Sequence, residues 1–392
     1  MRSRLSILYL TVFIDLLGFG IVIPILPTYA TELGASALEV GLIAALYSLM
    51  NFVFSPFWGT LSDRHGRRTV IAGTVAITAC SFFLLAQANV LWLLFLARLV
   101  SGIGSANIAA SQAYITDVTP KESRAKALGL IGAAFGLGFI FGPPVGGFVK
   151  EHFGMAYVGY MAMGLSTINL VLVLLFLPES IKEKDPHAKL EFKPVTMAFR
   201  ALKREGIRDL FITMFTYVTA FSMMQVTVAL LWEQDYGLSE AQVGYMFAAI
   251  GLASAIVQGG LVGWLSRKFG EAKLLVFGCI LMAFGLGSIP FVPFDWFVPV
   301  AFLPIVMIAL ANGCMMPSIT SLLSKEASDR EQGQVLGMNQ SFGSLARVIG
   351  PTIGGLFYGW SHYLPYLSGA LVMGATLYAV LGYNRLRAAR PA

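Results

Sequence analysis

The chain contains 392 residues, of which 57% are hydrophobic and only 12% are charged. Its mean hydropathy of +0.74 excludes a soluble globular protein of this length, because so much apolar surface cannot be hidden from water. These values favour a helical protein embedded in lipid. The three cysteines, Cys80, Cys279 and Cys314, lie in apolar runs without metal-ligand spacing, and we interpret them as small core residues.

Twelve apolar stretches are long enough to cross a bilayer, since a spanning helix needs roughly 17 to 25 mostly apolar residues. They cover residues 5–29, 40–58, 69–88, 91–115, 125–149, 156–177, 207–231, 241–264, 272–292, 296–323, 333–359 and 363–383. We do not expect the first to be a cleaved signal peptide, because its apolar run is too long and no Ala-x-Ala site follows it. We therefore predict an all-α integral membrane protein with twelve transmembrane helices.

Basic residues fall almost entirely on one side of this arrangement. Twelve spans put both termini on the same side, and the loops of that side together with the termini contain 24 of the 27 lysines and arginines. The opposite loops contain only Lys150, while Arg98 and Arg347 lie inside spans. Because cytoplasmic loops are enriched in Lys and Arg, we predict a multi-pass plasma (inner) membrane protein with both termini cytoplasmic. The isoelectric point near 9.2 then reflects topology and not a nucleic-acid-binding surface.

The longest polar segment, residues 178–206, divides the chain in half. It predicts an N-terminal six-helix bundle at 1–177, a cytoplasmic linker at 178–206 and a C-terminal six-helix bundle at 207–392. Within the linker, residues 195–204 are either a short amphipathic helix on the inner membrane surface or part of a solvated chain.

The two halves look like repeats of one another. The stretch RAKALGLIGAAFGLGFIFGPPVGG (124–147) matches QGQVLGMNQSFGSLARVIGPTIGG (332–355) at an offset of 208 residues. A second pair, GTLSDRHGRR (59–68) and GWLSRKFGEA (263–272), matches at an offset of 204. Parallel six-span repeats are one of the repeat plans of transporters, with the substrate site at the repeat interface near mid-membrane.

Four motifs stand out within this plan. They are Gly59-x-Leu61-x-Asp63-Arg64-x-Gly66-Arg67-Arg68 after span two, Arg98 with Gly102 and Gly104 in span four, Gly138-x3-Gly142-Pro143-x2-Gly146-Gly147 in span five, and Asp15-x2-Gly18-x-Gly20-x3-Pro24-x2-Pro27 in span one. Over essentially the whole chain they resemble the major facilitator superfamily, and within it the twelve-span drug:proton antiporters such as tetracycline and multidrug efflux transporters. The resemblance implies two pseudo-symmetric six-helix bundles.

The motif after span two is interpreted as a conformational latch. We expect a tight turn in which Asp63 lies at a helix N-terminus, where the dipole favours a carboxylate, and in which Arg67 pairs with it. The resemblance implies Asp117 as a further partner. The full latch set is Gly59, Asp63, Arg64, Gly66, Arg67, Arg68 and Asp117. The alternative is a basic loop that only sets topology.

The motif in span five is interpreted as a packing and hinge device. Its residues are Gly138, Gly142, Pro143, Gly146 and Gly147. Small residues at four-residue spacing let helix backbones approach closely. Pro143 and Pro144 lack a backbone N–H and should bend the helix.

Asp15 is the acid inside the first apolar run, where a charge is expensive and usually lines a cavity or pairs. At about 1.5 Å per residue, Asp15 and Arg98 differ in depth by only a few ångströms in a core of about 30 Å, and Arg347 lies at a comparable depth in the second half. Desolvation raises the pKa of a carboxyl group and a nearby arginine lowers it. Asp15, Arg98 and Arg347 are therefore the proton-coupling candidates, against the alternative of a static ion pair. Glu233, at the outer end of span seven, is a weaker candidate.

Several polar side chains inside spans are candidates for lining a substrate cavity, although each is also a plausible helix-packing hydrogen bond. They are Tyr47, Asn51, Asn107, Gln112, Gln225, Gln258, Asn339 and Gln340. No Gly-x4-Gly-Lys-Ser/Thr run and no Gly-x-Ser-x-Gly elbow occurs in the sequence, so neither direct ATP drive nor a hydrolase has support. We expect no enzyme activity, no cofactor and no metal.

The sequence favours a proton-coupled secondary transporter, acting as a monomer, that exports small amphipathic or hydrophobic compounds by alternating access. Spans eight and nine contain no internal acid, which weakens tetracycline itself as the substrate, since the family's exporters of that drug carry one in the second half. The alternatives are a lipid or glycolipid flippase on the same fold and a non-transporting membrane sensor.

Overall fold

The computed structural model describes residues 2–105, 108–119, 124–181, 205–257, 261–327 and 332–388. These residues form fifteen α-helices and two short 3-10 turns, Ile289–Phe291 and Phe294–Trp296, without a β-strand. The helices are α1 Arg2–Val22, α2 Leu26–Glu32, α3 Ala37–His65, α4 Arg67–Ala86, α5 Leu91–Gly104, α6 Ile108–Val118, α7 Arg124–Phe153, α8 Met155–Phe176, α9 Glu205–Gln234, α10 Glu240–Ile256, α11 Val262–Phe269, α12 Glu271–Ser288, α13 Phe297–Glu326, α14 Gln332–Trp360 and α15 Leu364–Ala388. The predicted all-helical fold is confirmed.

Each predicted span falls on one helix or on two consecutive helices. Among the described residues, eight helices are long and apolar enough to cross a membrane by length and composition, and α5 and α10 are shorter apolar helices. Spans four and eight correspond to the pairs α5–α6 and α10–α11, which are separated by residues outside the described part of the chain.

The first predicted span is not one continuous helix. Helix α1 ends at Val22, and α2 begins at Leu26 with a proline in its first turn. Proline removes a backbone donor and disfavours helical geometry in the residue before it, so Pro24 and Pro27 divide the span. The Thr28 hydroxyl donates to the Ile25 carbonyl at 2.9 Å, which satisfies one acceptor at the break.

Helix α3 is longer than the predicted span 40–58. It continues to His65 and includes Gly59 and Asp63, and only Gly66, with φ of +104°, departs from helical geometry before α4 begins. The expected turn over residues 59–68 is therefore wrong in extent, because hydropathy falls where charged side chains begin but the helix continues beyond that point.

The described chain groups into two compact units. One contains Met1–Ala35, Leu46–Phe192 and Trp232–Gly251, and the other contains Ser36–Ala45, Lys193–Leu231 and Leu252–Ala392. Each unit has its own buried core. Residues of the first core are Leu8, Val12, Ile71, Val75, Tyr114, Ile115 and Val173; residues of the second are Val257, Val262, Leu274 and Cys314.

The predicted division at 1–177, 178–206 and 207–392 stays a prediction, since short segments at 36–45 and 232–251 group with the opposite half of the sequence. The linker from residue 182 to 204, with its predicted helix at 195–204, lies outside the described residues. Cys279 and Cys314 are buried as expected, whereas Cys80 is exposed. The prediction that Cys80 is a core residue is wrong. A membrane-spanning helix is apolar on its lipid-facing side too, so lying in an apolar run does not show that a residue is buried.

Candidate functional site

Asp15 lies two-thirds of the way along α1, half-buried, with a buried amide as its described partner. The Asn169 side chain on α8 is fully buried, and its Nδ2 donates to Asp15 Oδ1 at 2.9 Å and to the Thr11 carbonyl at 3.0 Å. The amide donor orients the carboxyl group without adding an opposite charge to it. Sequence reasoning missed Asn169, although an asparagine within the apolar run of span six was the available signal.

Arg98 is almost fully buried on α5, with 5% of its surface exposed. Its guanidinium carbon lies 4.4 Å from the centroid of the Tyr47 ring on α3, a cation–π contact. The Tyr47 ring in turn lies 5.1 Å from that of Phe19, which follows Asp15 by one turn of α1. The Tyr47 ring therefore lies between Arg98 and α1, the helix that carries Asp15, inside the first unit.

The guanidinium of Arg98 is incompletely satisfied. Within the described part of the chain its Nε atom is buried and has no hydrogen-bond partner, and its surroundings include Ser81, Phe82 and Ser101. A buried cation of this kind is expensive unless a partner or ligand compensates it. The described contacts of Asp15 and Arg98 lead to different side chains, so the expected pairing of the two stays a prediction.

Arg347 belongs to a polar cluster of the second unit. On α14, its Nη2 atom donates to Ser344 Oγ at 3.3 Å. The Tyr217 hydroxyl of α9, which interacts electrostatically with Arg347, donates to Asn312 Oδ1 of α13. Tyr217 is another residue that sequence reasoning missed, because a tyrosine in an apolar span carries no positional signal of its own.

The predicted cavity residues have varied surroundings. Tyr47 holds Arg98, and Asn51 Nδ2 donates to Ser105 Oγ at 3.3 Å, which ties α3 to the end of α5. Asn339 is buried with 2% of its surface exposed, Gln225 is half-buried, and Gln112 and Gln340 are exposed. Asn107 and Gln258 lie outside the described residues.

The latch motif forms a compact ion cluster around Arg67. Arg67 Nη2 lies 2.6 Å from Asp63 Oδ1, and its Nε lies 3.2 Å from Asp117 Oδ2 at the end of α6. The Ser62 hydroxyl accepts a further hydrogen bond from Arg67 Nη1, and only 9% of the Arg67 surface is exposed. One buried guanidinium thus joins the ends of α3, α4 and α6.

The remaining latch residues have different roles. Gly66 adopts the positive φ that ends α3, while a Cβ on Gly59 would meet open space. Arg68 Nη2 donates to the Leu174 carbonyl of α8, and Arg64 is exposed at the end of α3.

The carboxylate at the helix N-terminus is Glu179 and not Asp63, which is a correction to the expected geometry. Asp63 lies in the last turn of α3, where the helix dipole does not favour an acid. Glu179 Oε1 accepts from the Arg67 backbone N–H at 2.9 Å, and its Oε2 accepts from that of Arg68 at 3.3 Å. The adjacent Ser180 hydroxyl donates to Asp117 Oδ2 at 2.9 Å. The latch therefore includes the first residues of the predicted linker.

The glycine row of α7 packs against α1. A Cβ on Gly138 would lie 2.8 Å from the Leu16 carbonyl oxygen, and one on Gly142 would lie 2.6 Å from the carbonyl carbon of Gly20. A Cβ on Gly146 would overlap the Ile21 carbonyl. These glycines serve as the contact surface for the helix that carries Asp15, as small residues do in membrane proteins.

The opposite side of the same motif packs against α10. A Cβ on Gly244 would lie 2.5 Å from the Pro143 carbonyl oxygen, and one on Gly147 would overlap the Glu240 backbone. Beyond this contact, Lys150 pairs with Glu240 and with Glu32. The motif of span five thus contacts α1 with one face and α10 with another.

Comparisons with known proteins agree with this architecture. The family model of the Major Facilitator Superfamily matches residues 8–351. The chain is 31% identical to "Tetracycline resistance protein, class C" of Escherichia coli, over 97% of this chain and 95% of that protein. It is 31% identical to "Multidrug resistance protein 1" of Bacillus subtilis (strain 168), over 90% of this chain and 89% of that protein.

Solved structures share the fold. The human organic anion transporter MFSD10 (TETRAN) superposes with a TM-score of 0.73 at 24% identity, covering 97% of this chain and 99% of that one. The nucleoside transporter NupG superposes with a TM-score of 0.76 at 14% identity, covering 99% and 100%. By family model, relatives and fold, the chain is a multi-pass membrane protein that belongs to the major facilitator superfamily.

Proposed function

We propose that the chain is a proton-coupled secondary transporter that exports small amphipathic or hydrophobic compounds by alternating access. The observation that carries the proposal is the carboxyl group of Asp15, held by the buried amide of Asn169 in the interior that also contains Arg98. Its relatives over nearly the whole chain bear the names of tetracycline and multidrug resistance proteins, which supports drug export as the task.

The coupling chemistry follows from what surrounds Asp15. With the site open to water, the ionised acid is favoured and the positive charge of Arg98 adds to that preference. When the site closes, desolvation favours the neutral acid. The site therefore switches from one side of the membrane to the other while Asp15 carries a proton. A shift of one pKa unit corresponds to only about 1.4 kcal/mol, which a bound substrate or a moved aromatic ring supplies readily.

Arg67 and its two carboxylates serve as the latch in this scheme. The cluster joins three helix ends through a single buried guanidinium, so rearranging those ends requires the ion pairs to break together. The cycle needs no cofactor, because the proton gradient drives it. The protein acts as a monomer in the plasma (inner) membrane, with both termini cytoplasmic.

Transport by the purified chain in proteoliposomes tests the proposal. Vesicles with an imposed pH gradient are loaded with a panel of hydrophobic cations and tetracyclines, and we expect accumulation that a protonophore abolishes. Fluorescent lipid analogues in the same vesicles report on the alternatives. Movement of lipid headgroups without drug accumulation would indicate a flippase, and neither activity would indicate a sensor; either result contradicts the proposal.

A further inference from the structure

A second group of charges lies at the Lys150 end of α7, and it shares no residue with the described contacts of Asp15 or with the latch. The Lys150 side chain is only 4% exposed, and its Nζ lies 2.5 Å from Glu32 Oε1 while also pairing with Glu240 Oε1. The Thr28 hydroxyl lies 3.5 Å from Nζ, and the ring centroid of Tyr29 lies 5.7 Å from it. One buried ammonium group therefore forms ion pairs with acids from two different helices, α2 and α10.

Glu233 on α9 adds a third acid to this group. It is half-buried and interacts electrostatically with Lys150, Glu240 and Glu32. Within the described part of the chain, its Oε2 atom is buried and has no hydrogen-bond partner. With Glu32, Glu233 and Glu240 ionised, three negative charges share the single positive charge of Lys150, which leaves an excess of two.

The neighbouring ionisable groups do not relieve that excess. Glu151 on α7 is exposed and accepts hydrogen bonds from Ser239 Oγ at 2.8 Å and from the Ala241 backbone N–H at 3.0 Å. These bonds hold the pKa of the Glu151 carboxyl below its usual value, so Glu151 stays ionised. Asp235 is exposed to solvent, and the Tyr29 hydroxyl donates to the Ala88 carbonyl.

The excess charge lies where α7 and α10 pack without space between them. Gly147 abuts the Glu240 backbone, and Gly244 abuts Pro143 one turn further along. Glu32 pairs with Lys150 of α7, whereas Glu233 and Glu240 lie on α9 and α10. The repulsion between Glu32 and these two acids therefore acts across the contact between α7 and α10. The packing and the protonation of the cluster are therefore linked.

We propose that Glu233 is a second proton-binding group of this transporter, and that its protonation stabilises the packed contact between α7 and α10. A proton taken from water onto Glu233 removes the burial of a charged oxygen that lacks a hydrogen bond, and it leaves two carboxylates against one ammonium group. Loss of that proton restores the repulsion and favours separation of α7 from α10. The packed contact thus binds more protons than the separated one, so it is stabilised as pH falls.

The consequence for transport rests on the proposed function. In the proposed topology this end of α7 faces the outside of the cell, which is the proton-rich side of an energised membrane. After substrate has left, a proton bound at Glu233 closes that face and helps the empty transporter to return. Glu233 acts as a sensor of external acid and Asp15 as the carried proton site.

The distance between α7 and α10 tests the inference without substrate or gradient. Spin labels are attached at Phe153→Cys and Tyr245→Cys, whose native side chains are 59% and 56% exposed, in a chain from which the three native cysteines have been removed. Double electron–electron resonance is recorded between about pH 5 and about pH 9, a range that covers the titration of buried carboxyl groups in proteins. We expect a short-distance population that declines as pH rises, by at most about tenfold in the population ratio per pH unit.

Three variants make the result specific. Glu233→Gln should keep the short distance at every pH, while Asp235→Asn, a neighbouring exposed charge removal, should follow the wild type. Lys150→Met, which removes the single cation, should move the transition to lower pH. Wild-type pH dependence in Glu233→Gln, or a distance that does not change with pH in the wild type, overturns the inference. A chain that exports drugs yet shows either result retains the proposed function and loses only this one.

Discussion

At the scale of single residues, Asp15 is the position on which coupling depends. Asp15→Asn resembles the protonated acid and can still pair with the Asn169 amide, so we expect a folded protein that binds substrate and exchanges it downhill. Accumulation driven by a pH gradient should be lost, because an asparagine side chain cannot bind and release a proton. Proteoliposome uptake measures it. Asp15→Glu keeps an ionisable group and should recover part of the activity; full accumulation by Asp15→Asn would show that Asp15 is structural.

A second residue-scale prediction concerns Asp63. Asp63→Asn leaves the pair between Arg67 and Asp117 in place, and Asp63 is 42% exposed in its side chain, so we expect a stability loss of about 1 kcal/mol or less. Transport should nevertheless collapse, because the latch loses one of the two charges that hold Arg67. Thermal unfolding and uptake are compared in the purified variant, with Asp235→Asn as the control. Wild-type turnover would exclude a latch role for Asp63.

The residues of the site differ in how far sequence could predict them. The pair of Arg67 and Asp63 came from the spacing of a local motif, whereas Asp117 was implied by the family resemblance. Glu179 came from neither, because it reaches the start of α4 from 112 residues away, and no local pattern records such a contact. Asn169 likewise pairs with an acid 154 positions earlier. A single sequence shows that a polar residue such as Asn169 lies in an apolar run, but it does not show which distant residue helix packing brings to it.

At the scale of helices, the contact between α7 and α1 is the most sensitive to side-chain volume. Gly146→Leu would place a branched side chain against Ile21 and Ile25, and such overpacking typically costs about 1–3 kcal/mol. We expect α1 to be displaced and one face of the cavity to stay closed. Cysteine accessibility from both sides of the membrane measures this. Gly164→Leu on α8 is the matched control, since a Cβ there meets open space; equal accessibility in the two variants would contradict the packing argument.

Helix boundaries were less predictable than helix positions. Apolar length located every span, because lipid forces each crossing segment to satisfy its backbone within a helix. The helix ends were predicted wrongly in two situations. In α3, polar residues up to His65 remained helical, and between α1 and α2, prolines divided one apolar run into two helices. Hydropathy reports contact with lipid, whereas a helix ends where its backbone geometry changes.

At the scale of the whole molecule, the distribution of basic residues predicts which side each loop faces. His65→Cys and His152→Cys replace exposed histidines on loops predicted to lie on opposite sides. In a chain without its native cysteines, a membrane-impermeant maleimide should label position 152 in intact cells and position 65 only after permeabilisation. The reverse pattern would invert the topology and, with it, the direction in which the Lys150 cluster senses acid.

The attachment of Glu179 and Ser180 to the latch has a consequence for the covalent chain itself. The segment that leads to the second half begins at residues that already hold Arg67, Arg68 and Asp117. A movement of residues 179–181 would therefore be transmitted directly to the ion cluster. Proteolytic cleavage after residue 181 would leave these contacts intact but would remove the covalent link to the second half. Co-expressed half-chains would work together only if the first half kept its PES tripeptide at 178–180.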